Sequence, residues 1–260
     1  MKISGVLPIY NEERLLPYSL NGLENADIDE LCIYLDRCTD NSQQIVENWL
    51  NVADPKFRVK IKIATSKPKW RNLRAYAFQQ VSEMCRGNII YTLGADVYYG
   101  NALAIFDEKY FEDYDLVSFY YRNYSLNTFK PYIFYIWFLE QIRGLKGHPF
   151  PFRRGALALT KELWTRVCGY RDTGYLEGPF AYEYDFINRV EESGAKTALV
   201  PSKLLHLRPD KNPYKEGLAR ADIGMPFYKT LIHGILQLKP LSIVGHLHYR
   251  KFGKASVKWK

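Results

Sequence analysis

Apolar and polar positions in the first hundred residues alternate between two periods. Short apolar runs predict β-strands at residues 3–8, 31–35, 58–64 and 89–93. Apolar residues at helical spacing lie between these runs, and we expect Asn11 to cap the first helix and Asp40, Asn41 or Ser42 to start the second. Strands that alternate with helices in units of about thirty residues predict right-handed crossovers and a mainly parallel sheet.

The second half of the chain is less regular. It predicts a strand at residues 116–121, an aromatic-rich helix at 132–142, a helix at 179–193 and a short last strand at 197–200, ending before Pro201. The predicted fold class is therefore α/β. We expect one domain over residues 1–215 and a basic, amphipathic, helical C-terminal extension over residues 216–260.

Polar and charged side chains follow the strands of the first half. Pro8 ends the first strand and Tyr10 and Glu12 follow it, Asp36 follows the second, and Asp96 follows the fourth. Ligands of parallel α/β sheets bind beyond the carboxyl ends of the strands. The sequence therefore predicts a binding site for a metal or a phosphate-bearing substrate at this edge.

The positive charge is concentrated at the carboxyl end. The formal net charge is +8, yet residues 217–260 hold eight Lys or Arg and a single acid, Asp222. A nearly neutral body disfavours nucleic acid as a partner. The segment from Ile223 onward is interpreted as an interfacial region for an anionic membrane surface, and the alternative is a packed tail with exposed lysines.

The cysteine pattern and the hydropathy predict the compartment. None of the four cysteines forms a CxxC pair, which argues against zinc and favours a reduced intracellular compartment. The amino-terminal apolar run is too short for a signal peptide, and no uncharged apolar stretch reaches the roughly 18 residues of a transmembrane helix. The expected location is the cytoplasm, with peripheral association with the inner face of the membrane.

Four segments together resemble family 2 glycosyltransferases. They are "SGVLPIYNEERLLPYSLNGL", "LCIYLDRCTDNSQQIVENW", "RNLRAYAFQQVSEMCRGNIIYTLGAD" and "CGYRDTGYLEGPFAYEYDFINRVEESGAKTALVP". Each motif is degenerate, but their order and spacing over about residues 3–206 make the resemblance fairly specific. It implies a GT-A (Rossmann-like) fold and a hexosyltransferase-like enzyme. Such an enzyme moves a sugar from a UDP- or GDP-linked donor to a glycan or lipid-linked acceptor, with inversion at the anomeric carbon.

The resemblance also implies site residues. It implies that Pro8, Tyr10, Glu12 and Asp36 line the nucleotide pocket. Lys69, Arg74 and Arg154 are further residues expected to bind the nucleotide sugar. Asp96 matches the last acid of the DxD motif, and Glu183 matches the second acid of a Glu-Asp pair that supplies the general base. Asp185 is the other catalytic candidate, although its spacing from Arg189 also fits a plain helix salt bridge.

A divalent metal is the expected cofactor. Mn²⁺ or Mg²⁺ prefers hard oxygen ligands such as Asp96, and His206 is a second candidate ligand that suits Mn²⁺ better than Mg²⁺. The alternative is a metal-free site in which basic residues neutralise the diphosphate: Lys67, Lys69, Arg71, Arg153 and Arg154.

The chain departs from the family pattern at three positions. Gly94 replaces the first DxD acid, Tyr182 replaces the first acid of the Glu-Asp pair, and Leu35 replaces one member of the second-strand acid pair. These changes motivate a second hypothesis, a catalytically inactive protein that binds nucleotide sugars. Each acid also has an ordinary explanation: Asp96 as a turn former, Asp36 as a helix cap, and Glu183 as a surface acid at a helix start.

Overall fold

A computed structural model describes residues 1–100, 106–123, 156–173, 180–207, 213–222, 225–236 and 239–252. The chain divides into two compact units. The first, the sheet unit, comprises Met1–Lys67, Ala77–Val167 and Ser193–Pro209. The second, the helical unit, comprises Pro68–Tyr76, Cys168–Glu192 and Asp210–Lys260.

The strands of the described residues form one eight-stranded sheet in the order β3-β2-β1-β4-β7-β6-β8-β5. They are β1 (Ile3–Ile9), β2 (Glu30–Asp36), β3 (Arg58–Ala64), β4 (Ile89–Thr92), β5 (Val97–Tyr98), β6 (Leu116–Asn123), β7 (Leu157–Thr160) and β8 (Thr197–His206). Strands β1 to β4 pair in parallel with one another, as does β6 with β8. The other pairs are antiparallel. The predicted α/β class with a mainly parallel sheet is therefore confirmed.

The helices flank the sheet or build the helical unit. They are α1 (Leu16–Leu23), α2 (Ser42–Val52), α3 (Leu73–Glu83), α4 (Tyr110–Asp113), α5 (Lys161–Arg166), α6 (Phe180–Glu192), α7 (Pro213–Asp222), α8 (Phe227–Leu236) and α9 (Pro240–Phe252). The boundary predicted between residues 215 and 216 falls within α7 and stays a prediction. The predicted aromatic helix at 132–142 lies outside the described residues.

Burial explains why the central strands read as continuous apolar runs. Every residue of β2 is buried, as are six of the seven residues of β1, because both strands lie inside the sheet with neighbours on each side. Strand β3 is an edge strand, and its Lys and Arg residues are exposed or half-buried. Such charges protect an edge against pairing with other chains.

Two details of the predicted elements were wrong. Asn11 does not cap α1, which begins at Leu16; its backbone instead turns with φ of 51° in the loop after β1. Strand β8 does not end before Pro201 but continues to His206. A bulge absorbs the proline: Tyr120 pairs with Pro201, and the next residue, Tyr121, pairs with Leu204. Proline has no N–H for the ladder, so a bulge is where a strand tolerates it.

The amino end of the parallel strands carries a buried polar network. The Glu30 carboxylate accepts hydrogen bonds from the Ser4 hydroxyl (2.7 Å) and the Arg86 amide, and it pairs with the Lys60 ammonium at 2.5 Å. Burial raises the pKa of Glu30, but these donors outweigh it and bring the pKa to about 2. The thiols of Cys32 and Cys85 lie within 4.8 Å of the same carboxylate. Because the Lys60 ammonium already pairs with the Glu30 carboxylate, we interpret the cluster as a structural network and not as a metal site.

The last three helices pack closely within the helical unit. A β-carbon at Gly217 of α7 would lie 1.9 Å from the Ser242 carbonyl oxygen, and one at Gly245 of α9 would lie 2.0 Å from the Tyr214 carbonyl oxygen. Glycine is required at both positions because the two backbones touch there. None of the helices in the described part of the chain is both long and apolar enough to cross a membrane.

Candidate active site

The loops after β1 and β2 are tied together at the carboxyl edge of the sheet. The Asn11 amide nitrogen donates to the Thr39 hydroxyl at 3.0 Å, and the Thr39 backbone amide donates to the Asn11 side-chain oxygen at 2.8 Å. The Glu13 amide donates to Asp40 at 3.0 Å. Burial raises the pKa of Asp40, but hydrogen bonds from Ser42 and the Glu13 amide outweigh it and lower the pKa overall. The two loops therefore form one fixed rim.

Asp36 and Tyr10 meet at this rim through Arg37. Asp36 is 4% exposed, and both of its oxygens accept hydrogen bonds from the Arg37 guanidinium, each at 2.7 Å. The guanidinium also lies over the Tyr10 ring, 5.6 Å from its centre. The hydrogen bond to Asp36 raises the pKa of Arg37. A fixed cation thus joins two side chains that were expected to bind the nucleotide.

Arg37 directly follows Asp36 at the end of the second strand but was not among the residues predicted to bind the nucleotide sugar. Its φ is 52°, a left-handed backbone that costs a branched or long side chain about 1 kcal/mol or more. The Arg37 amide donates to the Ala64 carbonyl at 3.0 Å, which holds this conformation against β3. An arginine directly after a strand-end aspartate was the available signal, but its fold-back onto Asp36 depends on that local turn.

Asp96 and His206 are brought together by strand pairing. Strand β5 pairs antiparallel with β8, and Val97 lies opposite His206. The His206 Nε2 and Asp96 Oδ2 atoms are 3.3 Å apart, and the side chains are 13% and 9% exposed. The Leu207 amide donates to the Asp96 carbonyl at 2.8 Å, which fixes the backbone beside the pair.

The spacing of these two side chains fits a divalent cation. Two ligand atoms at about 2.1 Å from one ion and at right angles to each other are roughly 3.0 Å apart. The observed 3.3 Å is close to that value. A carboxylate with an imidazole is a donor set that suits Mn²⁺ better than Mg²⁺. The spacing is therefore compatible with one shared cation, and it is equally that of a direct ion pair between the two side chains.

The helical unit carries Glu183 at the start of α6. The Tyr182 hydroxyl donates to Glu183 Oε1 at 3.1 Å. Tyr182 is 1% exposed and packs edge-on against Tyr170, whose ring centre is 4.9 Å away. Burial raises the pKa of Tyr182 well above its ordinary value, although nearby Arg74 opposes this shift. The hydroxyl therefore stays protonated and available as a donor to Glu183.

Arg74 lies in the first turn of α3, whose amino end is held by acceptors. The Arg71 and Asn72 backbone amides donate to the Asp172 carboxylate at 2.9 and 3.1 Å, and the Asn72 side chain accepts from the Ala75 amide at 3.0 Å. These contacts satisfy amides that a helix start leaves without partners. They fix the turn that carries Arg74.

Two other candidates have simpler surroundings. Lys69 is exposed in the segment before α3. Asp185 accepts two hydrogen bonds from Arg189, at 2.6 and 3.0 Å, which is the helix salt bridge weighed as the alternative for that pair. Arg154 and Arg153 lie outside the described residues.

Residues 4–170 match the family model described as "Glycosyl transferase family 2". The chain belongs to glycosyl transferase family 2. No curated protein matches it. The predicted family is therefore confirmed, over more than half of the chain.

Solved structures of glycosyltransferases with the GT-A fold resemble this chain. S. aureus TarS residues 1–349 in complex with UDP-GlcNAc is 14% identical with a TM-score of 0.58, and the match covers 85% of this chain and 65% of that one. Glucosyl-3-phosphoglycerate synthase from Mycobacterium tuberculosis, with Mn²⁺, UDP and phosphoglyceric acid, is 17% identical with a TM-score of 0.54, covering 85% and 75%. The chain thus spans slightly less than two thirds of that TarS chain. At these identities the likeness establishes the GT-A fold.

Packing explains one departure from the family pattern. A β-carbon at Gly94 would lie 2.9 Å from the Val97 side chain and 3.0 Å from Asp96 Oδ1. The turn is held from two sides, since the Gly94 amide donates to the Tyr99 hydroxyl at 2.7 Å and the Ser19 hydroxyl donates to the Val97 carbonyl at 2.5 Å. Any side chain at position 94 would therefore have to displace Val97 or Asp96.

The structure locates the predicted residues in two groups. The sheet unit brings the strand ends of Pro8, Tyr10, Glu12 and Asp36 to one edge, and Asp96 with His206 to the end of the neighbouring β4. The helical unit holds Lys69, Arg74, Glu183 and Asp185. The role assigned to each of these residues stays a prediction.

Proposed function

We propose that this protein is a metal-assisted, inverting glycosyltransferase that uses a nucleotide-diphosphate sugar. Family membership supports the reaction class, and the two structural neighbours solved with UDP or UDP-GlcNAc favour a uridine donor over GDP. The single observation that carries the proposal is the Asp96–His206 pair, because two ligands of the right chemistry meet at the edge where such a fold binds nucleotides.

The leaving group sets the main chemical demand on the site. A nucleoside diphosphate departs with concentrated negative charge, which a divalent cation neutralises when bound. Asp96 and His206 would hold that cation. Arg37 adds a fixed positive charge at the rim beside Asp36. Asp36 retains lone pairs that can accept from the ribose or base, since a carboxylate has about four acceptor sites.

Glu183 is the proposed general base. It would take the proton of the acceptor hydroxyl while that oxygen attacks the anomeric carbon and the bond to the diphosphate breaks. Tyr182 donates to Glu183 and would orient the carboxylate. Asp185 is engaged by Arg189, so Glu183 is the better candidate of the two acids.

The proposed acceptor is a glycan or lipid-linked sugar at the inner face of a membrane. This part of the proposal rests on the segregated positive charge of residues 217–260. Basic segments are attracted to anionic lipids. A hydroxyl-bearing acceptor held at that surface would be within reach of a peripheral enzyme.

Donor hydrolysis tests the proposal with the purified full chain. We expect slow release of UDP from UDP-sugars that depends on Mn²⁺ and stops on chelation. Asp96→Asn and His206→Gln should each reduce it by at least tenfold, since each removes a metal ligand. The matched control is Asp27→Asn, which changes an exposed acid and should hydrolyse donor at the wild-type rate. Release that persists in chelator and in Asp96→Asn would contradict the metal role.

An inactive nucleotide-sugar binder is the second candidate. Gly94 and Tyr182, which stand where the family pattern has acids, favour it. The same samples distinguish the two candidates by thermal shift, because a ligand that binds only the folded state raises the melting temperature. Donors that stabilise the protein but are never hydrolysed or transferred, with any metal, would identify the binder.

A further inference from the structure

Helix α8 exposes one apolar stripe. Tyr228, Ile232 and Ile235 are 58%, 50% and 61% exposed, and their spacing places them on one helix face. The opposite face is buried: the Thr230 hydroxyl bonds His246 of α9 at 2.8 Å, and Gly234 lies against Ile243. The exposed stripe therefore belongs to a helix whose opposite face is packed against α9.

Helix α9 exposes a second apolar stripe. Leu241, Val244 and Leu247 are 52%, 52% and 49% exposed. The stripe continues one turn further into exposed Lys251, with exposed Arg250 beside it. Apolar side chains that lead into basic ones are typical of a helix lying at a membrane interface.

The two stripes lie on the same side of the helix pair. Thr230 meets His246 and Gly234 meets Ile243, so later residues of α8 contact earlier residues of α9 and the helices are antiparallel. At 3.6 residues per turn, each stripe is rotated by roughly 130° from its contact face, in the same sense when viewed from that helix's own amino end. Because the two helices run in opposite directions, these equal rotations bring both stripes to the same side of the helix pair.

We infer that this shared side is the surface through which the protein binds an anionic lipid bilayer. The six side chains form what we call the apolar platform: Tyr228, Ile232, Ile235, Leu241, Val244 and Leu247. The inference deepens the proposed function, since it identifies how an enzyme with a lipid-linked acceptor would meet its membrane. It rests on that function only for the choice of acceptor.

Charge favours lipid over a second copy of the chain. Arg250 and Lys251 at the end of α9 are exposed basic residues beside the platform. A second copy of the same surface would bring further positive charge to the interface, where like charges repel. Each Lys or Arg near the surface of an anionic bilayer instead raises the affinity of a protein for that bilayer by about fivefold.

Vesicle flotation of the full chain tests the inference. We expect the protein to float with vesicles of phosphatidylcholine plus phosphatidylglycerol, and weakly with phosphatidylcholine alone. Ile232→Gln with Val244→Gln should reduce binding at least tenfold. The matched control pair is Ile63→Gln with Val52→Gln, because those side chains are exposed to a similar or greater extent in the sheet unit and should float like wild type.

A charge pair completes the design. Arg250→Gln with Lys251→Gln should weaken binding by at least tenfold and flatten its salt dependence, while Lys56→Gln with Arg58→Gln changes two exposed basic residues of the sheet unit and should not. Far-ultraviolet circular dichroism verifies that each variant folds.

Two flotation results would overturn the inference: no flotation of the wild type, or equal flotation of the Ile232→Gln, Val244→Gln variant and its control pair. A third is a wild-type dimer that becomes a monomer in the Ile232→Gln, Val244→Gln variant. Donor hydrolysis measured without vesicles is independent of the platform. If the wild-type protein floats with vesicles but does not hydrolyse any donor, the result counts against the proposed function alone.

Discussion

Gly94 decides whether the missing acid of the metal motif can be restored. A β-carbon there would lie 2.9 Å from Val97 Cγ2, whereas carbon atoms in good contact are about 3.5–4.0 Å apart. The deficit is roughly 0.6–1.1 Å. Val97 is 5% exposed and belongs to the short paired strand β5, so it has little room to move. The crowding comes from the side chains of Val97 and Asp96, and the Val97 side chain branches directly at its β-carbon, so it can give way only if its χ1 angle or the backbone shifts.

We expect Gly94→Ala and Gly94→Asp each to lower the free energy of unfolding by about 1–3 kcal/mol, the usual cost of overpacking. At about 2–4 °C per kcal/mol for a chain of this size, the melting temperature should fall by roughly 2–12 °C. The added carboxylate of Gly94→Asp would also lie beside Asp96, where like charges repel. Thermal unfolding with and without Mn²⁺, together with calorimetric Mn²⁺ titration, measures both effects.

Gly94→Ala separates bulk from charge, because it adds the β-carbon without the carboxylate. The steric argument predicts that both variants lose stability and that neither binds Mn²⁺ more tightly than wild type. A Gly94→Asp protein as stable as wild type, with Mn²⁺ affinity raised more than tenfold, would refute it. That result would mean that the turn adapts and that the glycine is not imposed by packing.

Three further predictions test the rest of the molecule. Tyr182→Phe keeps the buried ring but removes the donor to Glu183, so sugar transfer should slow about tenfold while donor affinity, measured by calorimetry, stays the same. Arg37→Gly relieves the positive φ and should be about 1 kcal/mol more stable than Arg37→Ala in urea unfolding, while both lose donor affinity. Glu30→Gln should lower stability at pH 7 by about 3 kcal/mol, the equivalent of a pKa reduced from 4.5 to about 2.

The pH dependence of the Glu30 prediction has a defined sign. The carboxyl group has a lower pKa in the folded state, so its contribution is present above pH 4.5 and is lost as the pH falls towards 2. Urea unfolding at pH 7 and pH 3 should therefore show a larger gap between wild type and variant at pH 7. A constant gap would contradict the role of the Lys60 pair.

For the other two variants, equal transfer rates in Tyr182→Phe would mean that the hydroxyl does not orient Glu183. Equal stability of the Arg37 variants would mean that the left-handed turn carries no strain.

Sequence patterns predicted the sheet well where burial dominates. Strand β2 is buried throughout and was visible as an apolar run, and β3 was predicted with its observed ends because its alternation matches an edge strand. The patterns failed where a single residue type misled. Pro201 suggested a strand end, but a bulge carries β8 past it, and Asn11 suggested a helix cap, but its side chain bonds Thr39 instead.

The candidate site was only partly predictable for the same reason. Asp96 and His206 are distant in sequence, and the family resemblance suggested them together, but their 3.3 Å separation comes from the pairing of β5 with the continued β8. Arg37 directly follows Asp36, but neither its fold-back onto Asp36 nor the hydrogen bond from Tyr182 to Glu183 could be predicted from the sequence. Such contacts depend on local backbone turns and packing that hydrophobic periodicity does not encode.

The touching backbones at Gly217 and Gly245 have a consequence for engineering. Because α7 packs directly against α9, a truncation before residue 240 would remove α9 and expose the face of α7 that packs against it. The last three helices should therefore be exchanged between relatives as one block, never trimmed one by one. A graft onto another transferase should therefore carry all three helices, so that the packing between α7 and α9 stays intact.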